Sequence, residues 1–255
     1  MIGDITYHHE RMRVLAIDAG NSRIKWGLHD GEGWFVQDWI ATAQPARIGR
    51  AWAKLPRPEV VIASNVAGKH VQRALVAAAR RSRLPVRFAL SRASQCGVHS
   101  SYDRPAELGA DRWAALIGAW HLFRGPCVVV NAGTTMTVDA LNGEGAFLGG
   151  MIVAGVDLMR VALARSTAGL KIQTGRYAFF PGRTADAIMS GAINALAGAI
   201  ERMQRFMGEA GLSAALVVVS GGAAGVIAPH LNAPAEVVDN LVLEGLLRIA
   251  LDRTA

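Results

Sequence analysis

The side chains that could do chemistry begin in one tight turn near the start of the chain. An apolar run ends at Asp18, and a glycine turn with Asn21 and Ser22 leads to Lys25. A strand that enters such a turn can present backbone N–H groups to an anion. The carboxylate suits a hydrated Mg²⁺, and the other side chains suit phosphate oxygens. An ordinary hairpin turn would explain the same residues, so this stretch alone does not decide between the two.

Two later turns repeat the pattern and favour a nucleotide. The apolar run at residues 128–130 leads to Gly-Thr-Thr at 133–135, and the run at 216–219 ends in Ser-Gly-Gly at 220–222. None of these turns is a Walker loop or a dinucleotide fingerprint, because neither GxxxxGK nor GxGxxG occurs at a strand-helix junction. Two similar phosphate-binding turns in one chain predict two similar halves that face one nucleotide.

Asp111 and Arg112 open a predicted helix after an irregular loop at residues 91–108. A loop of this length in a compact chain is typical of a functional or disordered segment. The helix dipole alone favours a carboxylate in a first helical turn. The pair also suits phosphoryl transfer to an alcohol, which needs a carboxylate near the attacking hydroxyl and cations near the phosphoryl oxygens. Asp111 is therefore the candidate base, and Arg112 is a candidate contact for an acidic substrate.

Thr184 opens another predicted helix, after a second long loop at residues 166–182. A threonine at this place is a good N-cap, and capping is sufficient to explain it. The alternative is a hydroxyl group in contact with a ligand.

The elements that must position these residues occur twice in the same order, β-β-β-α-β-α. In the first half, strands are predicted at residues 14–18, 24–29, 34–40, 59–64 and 86–89, and helices at 46–54 and 69–83. In the second half, strands are predicted at 127–131, 135–141, 146–153 and 216–219, and helices at 154–165, 184–207 and 241–251.

The predicted domain boundary is Gly125-Pro126, which interrupts the helix that begins near Asp111. We therefore predict an α/β protein of two duplicated domains with mixed sheets flanked by helices, residues 12–124 and 125–255, and a nucleotide cleft between them. Residues 1–11 are interpreted either as a disordered leader or as the result of a misplaced start site, since Met12 is a natural start. Small residues between 191 and 199 would permit close helix packing along the long helix of the second half.

Composition limits the partners of the protein. The chain has 255 residues and a formal net charge of +7. Its one arginine cluster, at residues 80–83, ends a predicted helix, where cations suit the dipole, so nucleic acid is not expected as a partner. No apolar run reaches the ~18 to 20 residues that a membrane span needs. Because the polar residues 1–11 also do not form a signal peptide, we expect a cytoplasmic protein.

In their order along the chain, these motifs resemble those of the type III pantothenate kinases. The resemblance runs from Met12 to the C-terminus, and the combination of motifs is specific. The motifs are, in chain order, Asp18-Ala19-Gly20-Asn21-Ser22, Gly109-Ala110-Asp111-Arg112, Asn131-Ala132-Gly133-Thr134-Thr135-Met136-Thr137-Val138-Asp139, Gly149-Gly150 with Gly155, Gly182-Arg183-Thr184-Ala185-Asp186-Ala187-Ile188, and Ser220-Gly221-Gly222.

The resemblance implies a protein of the actin, Hsp70 and sugar-kinase superfamily, with duplicated ribonuclease-H-like domains. It implies a homodimer that phosphorylates pantothenate with Mg²⁺ and ATP at the start of coenzyme A synthesis, with Asp111 as the proton acceptor. The implied ATP contacts are Asp18, Ala19, Gly20, Asn21, Ser22, Arg23, Ile24, Lys25 and Thr134. The implied pantothenate contacts are Tyr102, Gly109, Ala110, Asp111, Arg112 and Thr184.

One departure from the family pattern bears on cation binding. Relatives usually begin the second phosphate-binding turn with Asp, which helps to bind an activating K⁺ or NH₄⁺, whereas this chain has Asn131. An amide oxygen can ligate K⁺ but adds no charge. We therefore expect the dependence on a monovalent cation to be weak, altered or absent. Asp18 stays the candidate carboxylate for Mg²⁺, through a water molecule.

Two other functions stay open from the sequence. The family includes the Bvg accessory factor proteins, and a non-catalytic accessory protein that responds to nucleotide would explain the loss of charge at Asn131. The presence of Asp18 and Asp111 argues against that alternative. A kinase of the same superfamily that acts on another small alcohol would keep all of the motifs.

Overall fold

The computed structural model of the protein describes residues 12–80, 83–166, 174–212 and 215–252. These residues divide between Ala89 and Leu90 into two compact units, and each unit contains one β-sheet. The boundary predicted at residue 125 follows the repeat of elements and stays a prediction. By their contacts, residues 90–124 group with the second unit. The predicted leader, residues 1–11, lies outside the described residues.

The first unit contains a five-stranded mixed sheet. Its elements are β1 (Val14–Ala19), β2 (Arg23–His29), β3 (Trp34–Ala41), α1 (Ile48–Trp52), β4 (Val60–Asn65), α2 (Lys69–Ala79) and β5 (Val86–Phe88). The strand order is β3-β2-β1-β4-β5. Strands β1 to β3 are antiparallel neighbours, as predicted, and β4 and β5 are added in parallel. The helix between two parallel strands confirms the predicted β-α unit.

The alternation of side chains along β1 shows which face of this sheet packs against the helices. Leu15 and Ile17 point to one face, where they join a core cluster with Val71 and Leu75 of α2 and Ile48 of α1. Because successive side chains of a strand alternate between faces, Asp18 points to the other face.

The second unit contains a seven-stranded mixed sheet. Its elements are β6 (Ser94–Gln95), β7 (Val98–Ser100), α3 (Ala110–Phe123), β8 (Cys127–Ala132), β9 (Thr135–Leu141), β10 (Ala146–Ala154), α4 (Val156–Ser166), α5 (Thr184–Glu209), β11 (Leu216–Ser220), α6 (Ala224–Ile227), β12 (Ala235–Val237) and α7 (Leu241–Leu251). The strand order is β12-β11-β8-β9-β10-β7-β6.

The two sheets share one topology, which confirms the predicted duplication. The order β10-β9-β8-β11-β12 repeats β3-β2-β1-β4-β5, and each pair of neighbours has the same direction in both sheets. The register is also shared, because Asp18 lies opposite Ser64 in the first sheet and Asn131 lies opposite Ser220 in the second. Asn131 is therefore the counterpart of Asp18.

Helices cover the second sheet with apolar residues at helical spacing. Residues of α5, among them Leu196, Ile200 and Met203, pack against β8, β9 and β11. Helix α3 contacts both α7 and the strands β8 and β9. Within the described ranges no helix is long and apolar enough to cross a membrane.

The closest helix packing occurs at α3 and α7 rather than at α5. A Cβ at Gly118 would lie 2.6 Å from the carbonyl oxygen of Leu241, and a Cβ at Gly245 would overlap the backbone of Ala114. At Gly191 and Gly198 of α5 no heavy atom of the described chain, apart from the adjacent residues and the backbone of the helix itself, lies within 4 Å of such a Cβ. The close packing that the small residues of α5 would permit therefore stays a prediction.

The loop predicted at residues 91–108 is partly regular. It contains the hairpin of β6 and β7, which turns at Cys96 and Gly97 with φ of 51° and 82°. Strand β7 then pairs in parallel with β10. Such short strands depend on pairing with a distant part of the chain, so local sequence did not indicate them.

Candidate active site

The first phosphate-binding turn is closed by its own backbone. The N–H of Gly20 donates to the carbonyl oxygen of Arg23 at 3.0 Å, and the Thr42 hydroxyl donates to the carbonyl oxygen of Gly20 at 2.7 Å. Asn21 and Ser22 are exposed at the tip. The turn is thus fixed while its polar side chains face solvent, an arrangement that suits an anionic ligand.

Asp18 is oriented from the neighbouring strand. Ser64 is fully buried opposite Asp18, and its hydroxyl donates to Asp18 Oδ1 at 2.9 Å. Lys25 lies opposite Asp18 on the other side, in β2. Ala19 and Ile24 of the same stretch are buried in the core, so their side chains serve the fold and their backbone alone is suited to contact a ligand.

The second turn has a similar construction and an additional support. The N–H of Gly133 donates to Thr135 O at 3.0 Å, and the N–H of Gly155 donates to Thr134 O at 2.9 Å. A Cβ at Gly155 would lie 2.7 Å from Thr134 O and would overlap Gly133 O. The chain therefore needs glycine at residue 155 for this close approach.

The third glycine turn packs against the second one. Gly221 has φ of +100°, and a Cβ there would lie 2.5 Å from the carbonyl oxygen of Ala132. That oxygen accepts a hydrogen bond from the N–H of Ala223 at 3.0 Å. The second and third turns, which sequence predicted independently, thus form one backbone surface beside the half-buried Asn131.

Asp111 lies in the first turn of α3, as predicted. Its Oδ1 accepts a hydrogen bond from the N–H of Arg112 at 2.9 Å, and the side chain is half-buried. A Cβ at Gly109 would lie 2.6 Å from Asp111 Oδ1. Glycine at residue 109 thus leaves room for the carboxylate at the start of the helix.

Arg112 forms a buried ion pair with Asp139 of β9. The Arg112 side chain is 7% exposed and that of Asp139 is 1% exposed. Nε lies 3.2 Å from Asp139 Oδ2, and Nη2 makes a short contact with Oδ1. Such a bidentate pair is more rigid than a single contact. The sequence leaves Arg112 available for an acidic substrate, a role that stays a prediction, while the structure ties the guanidinium to Asp139.

Burial and pairing act in opposite directions on these two groups. Burial raises the pKa of Asp139, and the hydrogen bonds and charge of Arg112 oppose this rise, whereas the charge of Asp111 adds to it. Burial acts to lower the pKa of Arg112, but the hydrogen bonds and charge of Asp139 outweigh it and raise that pKa. The guanidinium therefore stays protonated at every working pH.

Tyr102 completes this group. Arg112 Nη1 donates to the Tyr102 hydroxyl at 3.3 Å, and the Tyr102 ring lies 5.2 Å from the ring of Phe147 at an angle of 45°. The pairing of β7 with β10 brings Tyr102 to this place, because Ser100 lies opposite Phe147. The structure thus brings together Tyr102, Asp111 and Arg112 of the predicted substrate contacts.

Thr184 is exposed as the first residue of α5. The N-cap position belongs to Arg183, and neither residue makes a side-chain capping bond, so the capping interpretation was wrong. Asp186 instead accepts a hydrogen bond from the N–H of Arg176 at 2.9 Å. Among the described residues, no hydrogen bond joins Thr184 to Tyr102 or Asp111.

Sequence reasoning missed two residues that support the candidate site. Ser64 orients Asp18, and Asp139 holds Arg112. A signal existed for Asp139, because a carboxylate between Val138 and Ala140 in an apolar strand requires a buried partner. A serine in a strand gives no comparable signal.

The repeated sheet, with a glycine turn after β1 and after β8, gives the duplicated α/β fold that the sequence predicted. In agreement, the fold resembles that of a Baf family protein from Campylobacter jejuni, with a TM-score of 0.62 at 18% identity over 92% of this chain and 96% of the other. The sequence profile of the type III pantothenate kinases matches residues 14–205. The chain belongs to this family.

Curated relatives agree over nearly the full length. The type III pantothenate kinase of Aromatoleum aromaticum is 48% identical over 242 residues, which cover 95% of this chain and 99% of the relative. That of Nitrosospira multiformis is 45% identical over 237 residues, which cover 93% and 90% respectively.

Proposed function

We propose that the protein transfers the γ-phosphoryl group of ATP to the 4′-hydroxyl group of pantothenate, the first step of coenzyme A synthesis. The observation that carries this proposal is Asp111, a half-buried carboxylate at the start of α3 beside the Tyr102–Arg112 pair, in a chain of this family. In our proposal Asp111 accepts the proton of the attacking hydroxyl group.

The substrates divide between two sets of residues. The turn from Asp18 to Lys25 binds ATP phosphates, together with Thr134 of the second turn. Tyr102, Arg112 and Thr184 bind pantothenate, with the backbone of Gly109 and Ala110. Phosphoryl transfer needs little covalent chemistry from the protein, so positioning and charge stabilisation account for most of its rate.

A divalent metal enters this site with ATP. Mg²⁺ keeps waters and phosphate oxygens in its shell and takes few carboxylates, so one carboxylate at the first turn is sufficient. Asp18 would hold it through a water, with Oδ1 fixed by Ser64. When bound, Mg²⁺ neutralises charge on the phosphate oxygens.

Three further parts of the proposal concern the surroundings of the reaction. Asn131 is the position for a monovalent cation, K⁺ or NH₄⁺, bound without the help of a carboxylate. The protein acts as a homodimer, as the family resemblance implies. It works in the cytoplasm, where ATP and pantothenate are available, and it has no nucleic-acid or membrane partner.

The test is the coupled kinase reaction with ATP, Mg²⁺, K⁺ and pantothenate. Asp111→Asn should lower kcat by about 10²-fold or more, since a general base contributes on that order, and it should leave ATP binding intact. The control is Asp157→Asn, which changes an exposed carboxylate of α4 whose side chain is 89% exposed. Full activity of Asp111→Asn would overturn the mechanism.

The same assay separates the alternatives. An accessory protein would release no ADP with any alcohol, and a kinase of another alcohol would release ADP with that alcohol but not with pantothenate. Formation of phosphopantothenate by the purified protein would exclude both.

A further inference from the structure

Asp139 is a buried charge that the reaction does not explain. It lies within β9 between Val138 and Ala140, and 1% of it is exposed. A carboxylate in apolar surroundings is destabilising unless it is paired and hydrogen-bonded. Asp111 already supplies the base, so a further carboxylate in the same unit must serve another purpose.

Arg112 links Asp139 to Tyr102, because its guanidinium makes hydrogen bonds to both side chains. Two nitrogens of the guanidinium are held by Asp139, and the third donates to the Tyr102 hydroxyl. Because a guanidinium has no acceptor, the phenol oxygen must accept this bond. The phenol proton then points elsewhere, and among the described residues no acceptor takes it.

A glycine in the neighbouring strand leaves space for the ion pair. Gly150 of β10 lies opposite Asp139. A Cβ at Gly150 would overlap Asp139 Oδ1, and it would lie 2.7 Å from Arg112 Nη2. Any side chain at this position would displace the pair, so the backbone of β10 is part of the same arrangement.

A contact with Phe147 fixes the position of the Tyr102 ring, independently of the hydrogen bond from Arg112. The ring packs at 5.2 Å from the ring of Phe147, a fully buried residue. With its hydroxyl held by Arg112 and its ring held by Phe147, Tyr102 has one direction left for its proton.

We propose that Asp139 is a positioning residue of the kinase: through Arg112 it holds Tyr102 so that the phenol proton is donated to an oxygen atom of pantothenate. This inference rests on the proposed contact between Tyr102 and the substrate. It requires no contact between Arg112 and the substrate, because the guanidinium acts through the tyrosine.

A double-mutant cycle tests the inference. The four proteins are the wild type, Asp139→Asn, Tyr102→Phe and the variant with both changes. We expect each single change to raise KM for pantothenate about tenfold, and KM for ATP to change about twofold or less. The double variant should be no worse than Tyr102→Phe alone, because both changes remove the same hydrogen bond to the substrate.

The outcomes separate the substrate role of Tyr102 from the positioning role of Asp139. If Tyr102→Phe leaves KM for pantothenate unchanged in an active kinase, the substrate role of Tyr102 is wrong. If Tyr102→Phe raises KM but the two changes are additive, Tyr102 binds substrate and the positioning role of Asp139 is overturned. A purely structural role would produce such additivity together with a lower unfolding temperature.

A second variant keeps the test open if Asp139→Asn does not fold because of the unpaired Arg112 charge. Asp139→Asn combined with Arg112→Gln removes both charges and releases Tyr102, so Tyr102→Phe added to this variant should not raise KM for pantothenate further. A further rise in KM on addition of Tyr102→Phe overturns the inference. Glu107→Gln is the matched control, because it removes an exposed carboxylate that pairs with Arg104.

Discussion

The buried hydroxyl of Ser64 donates a hydrogen bond of 2.9 Å to the carboxylate of Asp18 across the parallel strands β4 and β1. Removal of a hydrogen bond to a charged group costs about 1.5 kcal/mol or more. We therefore expect Ser64→Ala to lower kcat/KM for Mg·ATP on the order of tenfold without a change in KM for pantothenate. Steady-state kinetics with each substrate varied will measure both. Ser190→Ala, at another buried serine, is the control, and an equal loss in both variants would contradict the assignment.

The counterpart of Asp18 in the second sheet predicts how the protein responds to K⁺. Asn131 supplies an amide oxygen without charge, so the wild type should show little stimulation when K⁺ replaces a bulky organic cation. Asn131→Asp restores a charged ligand and should make activity rise severalfold with K⁺. Asn194→Asp adds the same charge at an exposed site of α5 and should not. Strong stimulation of the wild type by K⁺ would refute this prediction.

Two glycines should respond to alanine in opposite ways. Gly155→Ala places a methyl group against Gly133 O and Thr134 O, which should destabilise the fold by about 1–3 kcal/mol and weaken ATP binding. Gly191 lies on the exposed side of α5 with free space around its Cβ position, so Gly191→Ala should stabilise the fold by about 0.5–1 kcal/mol with activity intact. Urea unfolding and ATP titration of both variants check this. Equal stability of the two variants would show that the second turn tolerates the change.

His121 predicts a pH dependence of stability. Burial lowers its pKa, and the charges of Arg248 and Arg124 lower it further, while Glu244 opposes them. The unfolded chain therefore binds this proton more readily, so stability falls as pH drops below about 6.5, and the loss stops growing below the folded-state pKa. His121→Gln should reduce the change in unfolding temperature between about pH 7.5 and about pH 5.5. His70→Gln, at an exposed histidine of α2, should leave it as in the wild type.

Most regular elements could be predicted because their signals are local. Apolar runs bounded by glycine turns indicated β1, β2, β8 and β9 within one or two residues, and the duplication followed from their order. Strands β6 and β7 could not be predicted, since two or three residues form a strand here only through pairing with β10, far along the chain. The small residues of α5 have a similar limit: they permit close packing, but local sequence does not show which element would pack there.

The motifs of the candidate site could be predicted from the sequence, but the hydrogen bonds and ion pairs that connect them could not. Asp18 and Asp111 stand out because a turn or a helix start makes their carboxylates conspicuous. The link from Asp139 to Arg112 spans 27 positions and crosses from a strand to a helix. No local period connects such residues, so the partner of each buried charge became visible only in the folded chain.

The shared register of the two sheets allows their residues to be compared position by position, and it shows where the sheets differ. Asp139 stands where Gly27 stands in the first sheet, and Gly150 stands where Gln37 stands. In the first sheet the ring of Trp34 fills the space beside Gly27, 2.7 Å from where a Cβ would lie. The glycine thus lies in β2 of the first sheet but in β10 of the second. The Trp34 indole of the first sheet occupies the place that the ion pair of Asp139 and Arg112 occupies in the second. Although built on one plan, the two sheets are not interchangeable, because a second sheet with glycine in place of Asp139 would keep its topology but would lack the carboxylate that holds Arg112 and, through it, Tyr102.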